Sequence, residues 1–93
     1  MKVAKVIGNI WATRKDERLS GLKLLIVQPL DVRDEKSHRD PTVAADLIGA
    51  GIGETVLIVN GSSARSAVND MGAPVDATVV GIVDDLEIIH RES

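Results

Sequence analysis

Two short runs in this 93-residue chain carry the residue types from which active sites are built. Gly61-Ser62-Ser63-Ala64-Arg65 follows a β-like stretch and looks like half of a nucleophile elbow, the strained strand-to-helix turn that exposes a serine. Arg65, however, stands where the G-x-S-x-G pattern needs its second glycine. A nucleophilic serine also needs a base held by a third group, and only His38 and His90 are available, one in a charged loop and one beside the C-terminus. Helix capping by the serine hydroxyls is the simpler expectation. Gly49-Ala50-Gly51-Ile52-Gly53 invites a phosphate-loop reading. Its third glycine comes one residue early for G-x-G-x-x-G, and the segment leads into a strand, so no helix N-terminus would face a ligand. A tight turn or close packing accounts for it better.

Acidic residues gather in two places, at Asp31, Asp34, Glu35 and Asp40 and at Asp84, Asp85 and Glu87. Neither group has the D-x-[DN]-x-[DN]-G spacing of a calcium loop or the His and Cys partners that transition metals favour. Solvated surface charge is expected there, and no catalytic residue, cofactor or metal site. Asp46 and Asp76 differ, because each falls within a strand-like pattern and needs a hydrogen-bond partner if buried.

The elements that would position these residues are mostly strands. Period-two alternation puts Ala4, Val6, Gly8, Ile10 and Ala12 on one small, apolar face, with Gly8 marking a bend or a close backbone approach. Leu22 to Gln28 reads as a second strand stopped by Pro29, and its Leu24-Leu25-Ile26-Val27 is apolar on both faces, which implies cover from two sides. Asp31 to Asp40, with seven charged residues, reads as a solvated hairpin or loop. Thr42 to Leu47, Thr55 to Val59, Val75 to Asp84 and Leu86 to Ile89 read as further strands, and a short helix runs through Ala64 to Val68. About five main strands with one helix predict a mainly β fold, a small five-stranded OB-like barrel whose closure removes exposed sheet edges. No linker or repeat divides residues 1–93, so one domain is expected.

Composition narrows the function classes. Eleven basic and fourteen acidic residues give a formal charge of −3 with both signs interleaved, and Trp11 is the single aromatic side chain. Such a chain lacks the basic face and stacking platforms that single-stranded nucleic acid needs. No apolar run approaches the ~20 residues of a membrane span, and the N-terminus lacks the unbroken apolar stretch of a secretion signal. With no cysteine and so few residues, oligomerisation is the remaining route to a comfortable margin of stability. A cytoplasmic protein is expected.

Three stretches in order then carry a resemblance. The first is Leu19-Ser20-Gly21-Leu22-Lys23-Leu24-Leu25-Ile26-Val27-Gln28-Pro29, preceded by Gly8 and Ala12-Thr13-Arg14-Lys15. The second runs from Asp46-Leu47-Ile48-Gly49-Ala50-Gly51-Ile52-Gly53-Glu54-Thr55-Val56-Leu57 into Gly61-Ser62-Ser63-Ala64-Arg65, and the third from Pro74-Val75-Asp76-Ala77 to Gly81-Ile82-Val83-Asp84. Together, over residues 3 to 84, they resemble the EutN/CcmL family of bacterial microcompartment vertex proteins. The resemblance implies a non-enzymatic shell subunit that forms pentamers at the five-fold corners of a polyhedral shell, beside hexameric shell proteins. An OB-fold binder of nucleic acid or oligosaccharide is the alternative. On the vertex reading, Gly49, Ala50, Gly51 and Gly53 would let backbones approach closely between copies. Arg65 would reach across the contact with Glu54 as a partner, and Ser62 and Ser63 would stand near the five-fold axis.

Overall fold

The computed structural model describes residues 1–12, 15–31, 33 and 39–86. Among them five strands, β1 (Lys2–Ile10), β2 (Lys23–Pro29), β3 (Thr42–Asp46), β4 (Thr55–Asn60) and β5 (Ala77–Ile82), close into a barrel in the order β1-β2-β3-β5-β4. One helix, α1 (Gly61–Ala67), lies in the connection from β4 to β5. Four of the five strand contacts are antiparallel, and the parallel pair β3-β5 completes the cylinder. The expected barrel is therefore present, and its strands fall close to the alternating segments of the sequence. The last expected strand, Leu86 to Ile89, lies outside the described residues apart from Leu86, as does most of the charged Asp31 to Asp40 stretch.

The interior is narrow and filled by small and medium aliphatics: Ala4, Val6, Leu25, Val27, Ala44, Ala50, Val56, Ile58, Ala77 and Val79 form one buried cluster. Truncating its largest member, Leu25, would cost roughly 2–5 kcal/mol, because a tight barrel cannot collapse around the hole.

β1 departs from the simple alternation. Ala4 and Val6 point inward opposite Pro29 and Val27, but the register shifts between Val6 and Gly8, so Gly8 pairs with Ile26 and Ile10 with Leu24. Leu24 and Ile26 are the outer residues of β2, and cross-strand partners share a face. Gly8 and Ile10 are thus outside the barrel, contrary to the single inner face expected for Ala4, Val6, Gly8, Ile10 and Ala12. The cause is a β-bulge that adds one residue, Ile7, and flips everything after it. Gly8 suits the spot: a Cβ there would come within 3.3 Å of Ile26 Cδ1.

A second cluster lies outside the sheet, where Ala45, Ala64, Ala73 and Val75 pack with Leu19, Leu22, Leu24, Val59 and Val68. Helix α1 is pinned to it by the buried Thr78 hydroxyl, which donates to the Ala64 carbonyl at 2.9 Å. The rim is tied down by a single 3-10 turn at Glu17–Leu19. There the Asp16 carboxylate accepts from the Arg18 amide at 2.9 Å and from the guanidinium at 3.0 and 2.9 Å. Arg18 in turn donates to the Gly72 carbonyl.

The Arg18 side chain, and then its amide, hold the Asp16 carboxyl down to about 2. Against an unfolded value of about 3.9, this group stabilises the fold above roughly pH 4, and the contribution is lost as pH falls through 2. Asp16→Asn should therefore lower stability at neutral pH, by an amount that shrinks as pH falls from about 4 towards 2, as measured by urea unfolding across that range at fixed protein concentration.

Candidate functional site

The β3–β4 loop is organised by one buried carboxylate. Asp46, the last residue of β3, has a fully buried side chain. Its Oδ1 accepts from the amides of Ile48 and Gly49 at 2.9 and 3.1 Å, and Oδ2 accepts from the amide of Ala50 at 2.9 Å. Three donors aimed at one ionised group are what an anion needs in place of water. Lys23, across the strand pair, donates to the Ala50 carbonyl at 3.1 Å and stands 3.8 Å from Oδ2. The polar partner expected for a buried Asp46 is thus its own loop. Asp76, by contrast, is exposed.

Glu54 closes the other end of the loop. Its Oε1 accepts from the Gly51 amide at 2.6 Å, while Gly53 donates to the Val6 carbonyl at 2.8 Å and Val6 donates to the Glu54 carbonyl at 2.9 Å. Gly49 and Gly53 both adopt φ of +91°, which a side chain would strain. The glycine-rich segment is a tight turn, as its sequence suggests. Ala50 is wholly buried in its own barrel, Gly51 is half-buried beneath Glu54, and Gly49 and Gly53 are at the surface.

Arg65 and the serines sit on α1. Asn60 precedes the helix without a side-chain cap, and Gly61, at φ +59°, begins it, so the expected capping role of the Ser62 and Ser63 hydroxyls is not seen. Both serines lie inside the first turn, two and three residues past the cap position, and face solvent; the Gly61 amide is satisfied instead by the Asp76 carbonyl at 3.0 Å. Arg65 is half-buried and makes no ion pair among the described residues. Among the described residues no three His, Cys, Asp or Glu side chains cluster as metal ligands. His38 and His90 lie outside them.

What the sequence reading passed over is the outward display on this loop. Leu47, Ile48 and Ile52 are all exposed beside the clamped glycines. The signal was there, in aliphatic residues placed where a solvent loop would ordinarily carry polar ones.

Comparison with known proteins places this geometry. Residues 1–84 match the family described as ethanolamine utilisation protein EutN/carboxysome. The chain is 43% identical over 88 residues to the carboxysome shell vertex protein CcmL of Synechocystis, covering 95% of this chain and 87% of that one. It is 45% identical over 86 residues to the microcompartment shell vertex protein EutN of Salmonella typhimurium, covering 92% and 86%. Among solved structures it is similar to the GrpN pentameric microcompartment shell protein from Rhodospirillum rubrum, with a TM-score of 0.83 at 43% identity over 96% of this chain and 100% of that one.

The carboxylate clamp makes a direct prediction. Asp46→Ala leaves three amides without their acceptor and should cost about 3 kcal/mol of stability, whereas Asp76→Ala, at an exposed position, should stay within about 0.5 kcal/mol. Chemical unfolding of the two variants at equal concentration checks the contrast.

Proposed function

The chain belongs to the EutN/CcmL family, and from that premise we propose that it is a structural vertex subunit of a bacterial microcompartment shell, assembling as a pentamer that closes the polyhedron at its five-fold corners. The observation that carries this reading is similarity along nearly the whole chain, in sequence and in backbone, to proteins named as shell vertex subunits. A small OB-like barrel alone would not decide it, since such barrels host many functions.

Hexagonal tiles by themselves make flat sheets, so a closed container needs five-fold positions to introduce curvature. A ring of five identical chains needs a heterologous contact, one surface of each copy meeting a different surface of the next and rotating until the ring closes. The partners that follow are other copies of this chain and the hexameric shell proteins around each corner, in the cytoplasm where such shells form. No catalytic role is assigned: Ser62 and Ser63 face solvent with no base hydrogen-bonded to either among the described residues.

Within the ring, the β3–β4 loop with Gly49, Ala50, Gly51 and Gly53 belongs to the contact between copies, and Ser62 and Ser63 stand near the axis. Arg65 supplies a forked cation for a carboxylate or carbonyl of the neighbour. Glu54 is the weaker candidate for that partner, because its Oε1 is engaged by the Gly51 amide. The Ala50 side chain contributes by fixing the loop from inside the barrel and not by touching the neighbour.

Two measurements test the reading. Co-expression with hexameric shell proteins should yield closed bodies by electron microscopy when this chain is present and tubes or open sheets when it is absent; equal closure in both would refute the vertex role. Arg65→Ala should leave far-ultraviolet circular dichroism unchanged while native mass spectrometry shows pentamers dissociating at about tenfold or higher concentration than the parent chain.

A further inference from the structure

The β3–β4 loop is stiff for a segment that offers aliphatic side chains to water. Leu47, Ile48 and Ile52 are 46%, 47% and 63% exposed. Beneath them the amides of Ile48, Gly49 and Ala50 are held by Asp46, that of Gly51 by Glu54, and that of Gly53 by the Val6 carbonyl. With its backbone committed in this way, the loop cannot fold its aliphatics back onto its own barrel. It is an ordered knob with no charged residue between Leu47 and Gly53.

A groove of matching character runs along the flank of the same chain. Ile10, Leu24, Ile26 and Val43 line it on the outer surface of β1, β2 and β3, in a cleft of about 490 Å³ that includes one charged residue, Asp76. Its walls exist because the bulge at Ile7 turns Ile10 outward beside Leu24. Val43 is 45% exposed, and the adjoining Trp11, the only tryptophan of the chain, is 91% exposed. The size and polarity suit a few aliphatic side chains. A tryptophan beside an aliphatic cleft is also the kind of anchor on which interface energy concentrates. Val43 lies four residues before Leu47 on an extended strand, roughly 13 Å away at 3.3 Å per residue, so knob and groove are separate surfaces.

Resting on the pentamer reading above, we infer that the contact between copies is made by the Leu47, Ile48 and Ile52 knob of one protomer entering the Ile10, Leu24, Ile26 and Val43 groove of the next, with Trp11 at its edge, in the neighbouring cleft that shares Ile10 and Leu24 with it. The occupant is a second copy because the chain carries both halves of one apolar contact, uncharged knob and aliphatic groove, on different faces. Such a pairing is heterologous and repeats from protomer to protomer, which a ring requires and a two-fold dimer does not. The similarity to a chain described as a pentameric shell protein supplies the closure.

The experiment uses the full chain in three forms: the parent, a knob variant with Ile48→Asp and Ile52→Asp, and a groove variant with Trp11→Ala and Val43→Asp. The parent should be pentameric by native mass spectrometry with blue-shifted Trp11 emission. Each variant should be a folded monomer, its half-dissociation concentration raised about a hundredfold or more, and Trp11 of the knob variant should emit as an exposed indole. Mixing the two variants restores one good junction per pair, so a 1:1 dimer should form, with its emission blue-shifted again and nothing larger. Pentamers persisting in either variant, rings from the mixture, or red-shifted emission from the parent pentamer would overturn the inference and leave the pentamer standing. Variants that stay pentameric but no longer close shells would assign the knob to a neighbouring tile, which also overturns it. A parent chain that is monomeric at every concentration would instead refute the pentamer itself. If the aspartates unfold the chain, Ile48→Ser with Ile52→Ser carries the same outcomes.

Discussion

A closed cylinder of five short strands encloses room for a small set of side chains, and in this chain those places are taken by alanines, valines, one leucine and one isoleucine. The limit on interior volume determines what happens outside. Aliphatic residues that cannot enter the barrel are either gathered beneath α1 in the satellite cluster or left facing solvent. For so small a domain the buried area is modest and the stability margin narrow, so apolar surface left outside is available for association. Loop, bulge and groove are consequences of packing a shell subunit into a barrel with little inside.

Asp46 links that constraint to the surface. A carboxylate buried at the end of β3 is tolerated only because three amides and a nearby lysine replace the water it has lost. In exchange it fixes the first half of the turn, seating Ala50 in the core with Leu47 and Ile48 outward, while Glu54 and the Val6 carbonyl hold the half that carries Ile52. Stability of the protomer and presentation of a contact surface are therefore served by the same hydrogen bonds. The OB-type alternative, a binder of nucleic acid or oligosaccharide, draws no such support: the chain has one aromatic side chain, and the charges of both signs are interleaved along it.

Much of this was legible in the sequence, and the failures have physical reasons. Strand positions followed from period-two alternation because one face of each strand must meet the core. The face assignment in β1 failed beyond Val6 because a bulge adds a residue without leaving a mark when both neighbours are apolar. Gly49 and Gly53 were readable as turn residues, and Asp46 as a polar group needing partners, but which amides it would meet depends on the folded loop. Ser62 and Ser63 have the residue type of helix caps, but a glycine before them ordinarily marks a break, and here Gly61 itself opens the helix. Ala50 looked like a contact residue by its place among glycines and proves to be core, since only the fold reveals which way one small side chain points.

The central claim is that this barrel's unfilled apolar surface is completed by another copy of itself in a closed ring. Electron cryo-microscopy of the purified chain tests it most directly. The account predicts particles with five-fold symmetry in which the β3–β4 loop of each copy is seated against the Trp11 flank of the next; solitary barrels, or two-fold pairs with both surfaces open to solvent, would contradict it.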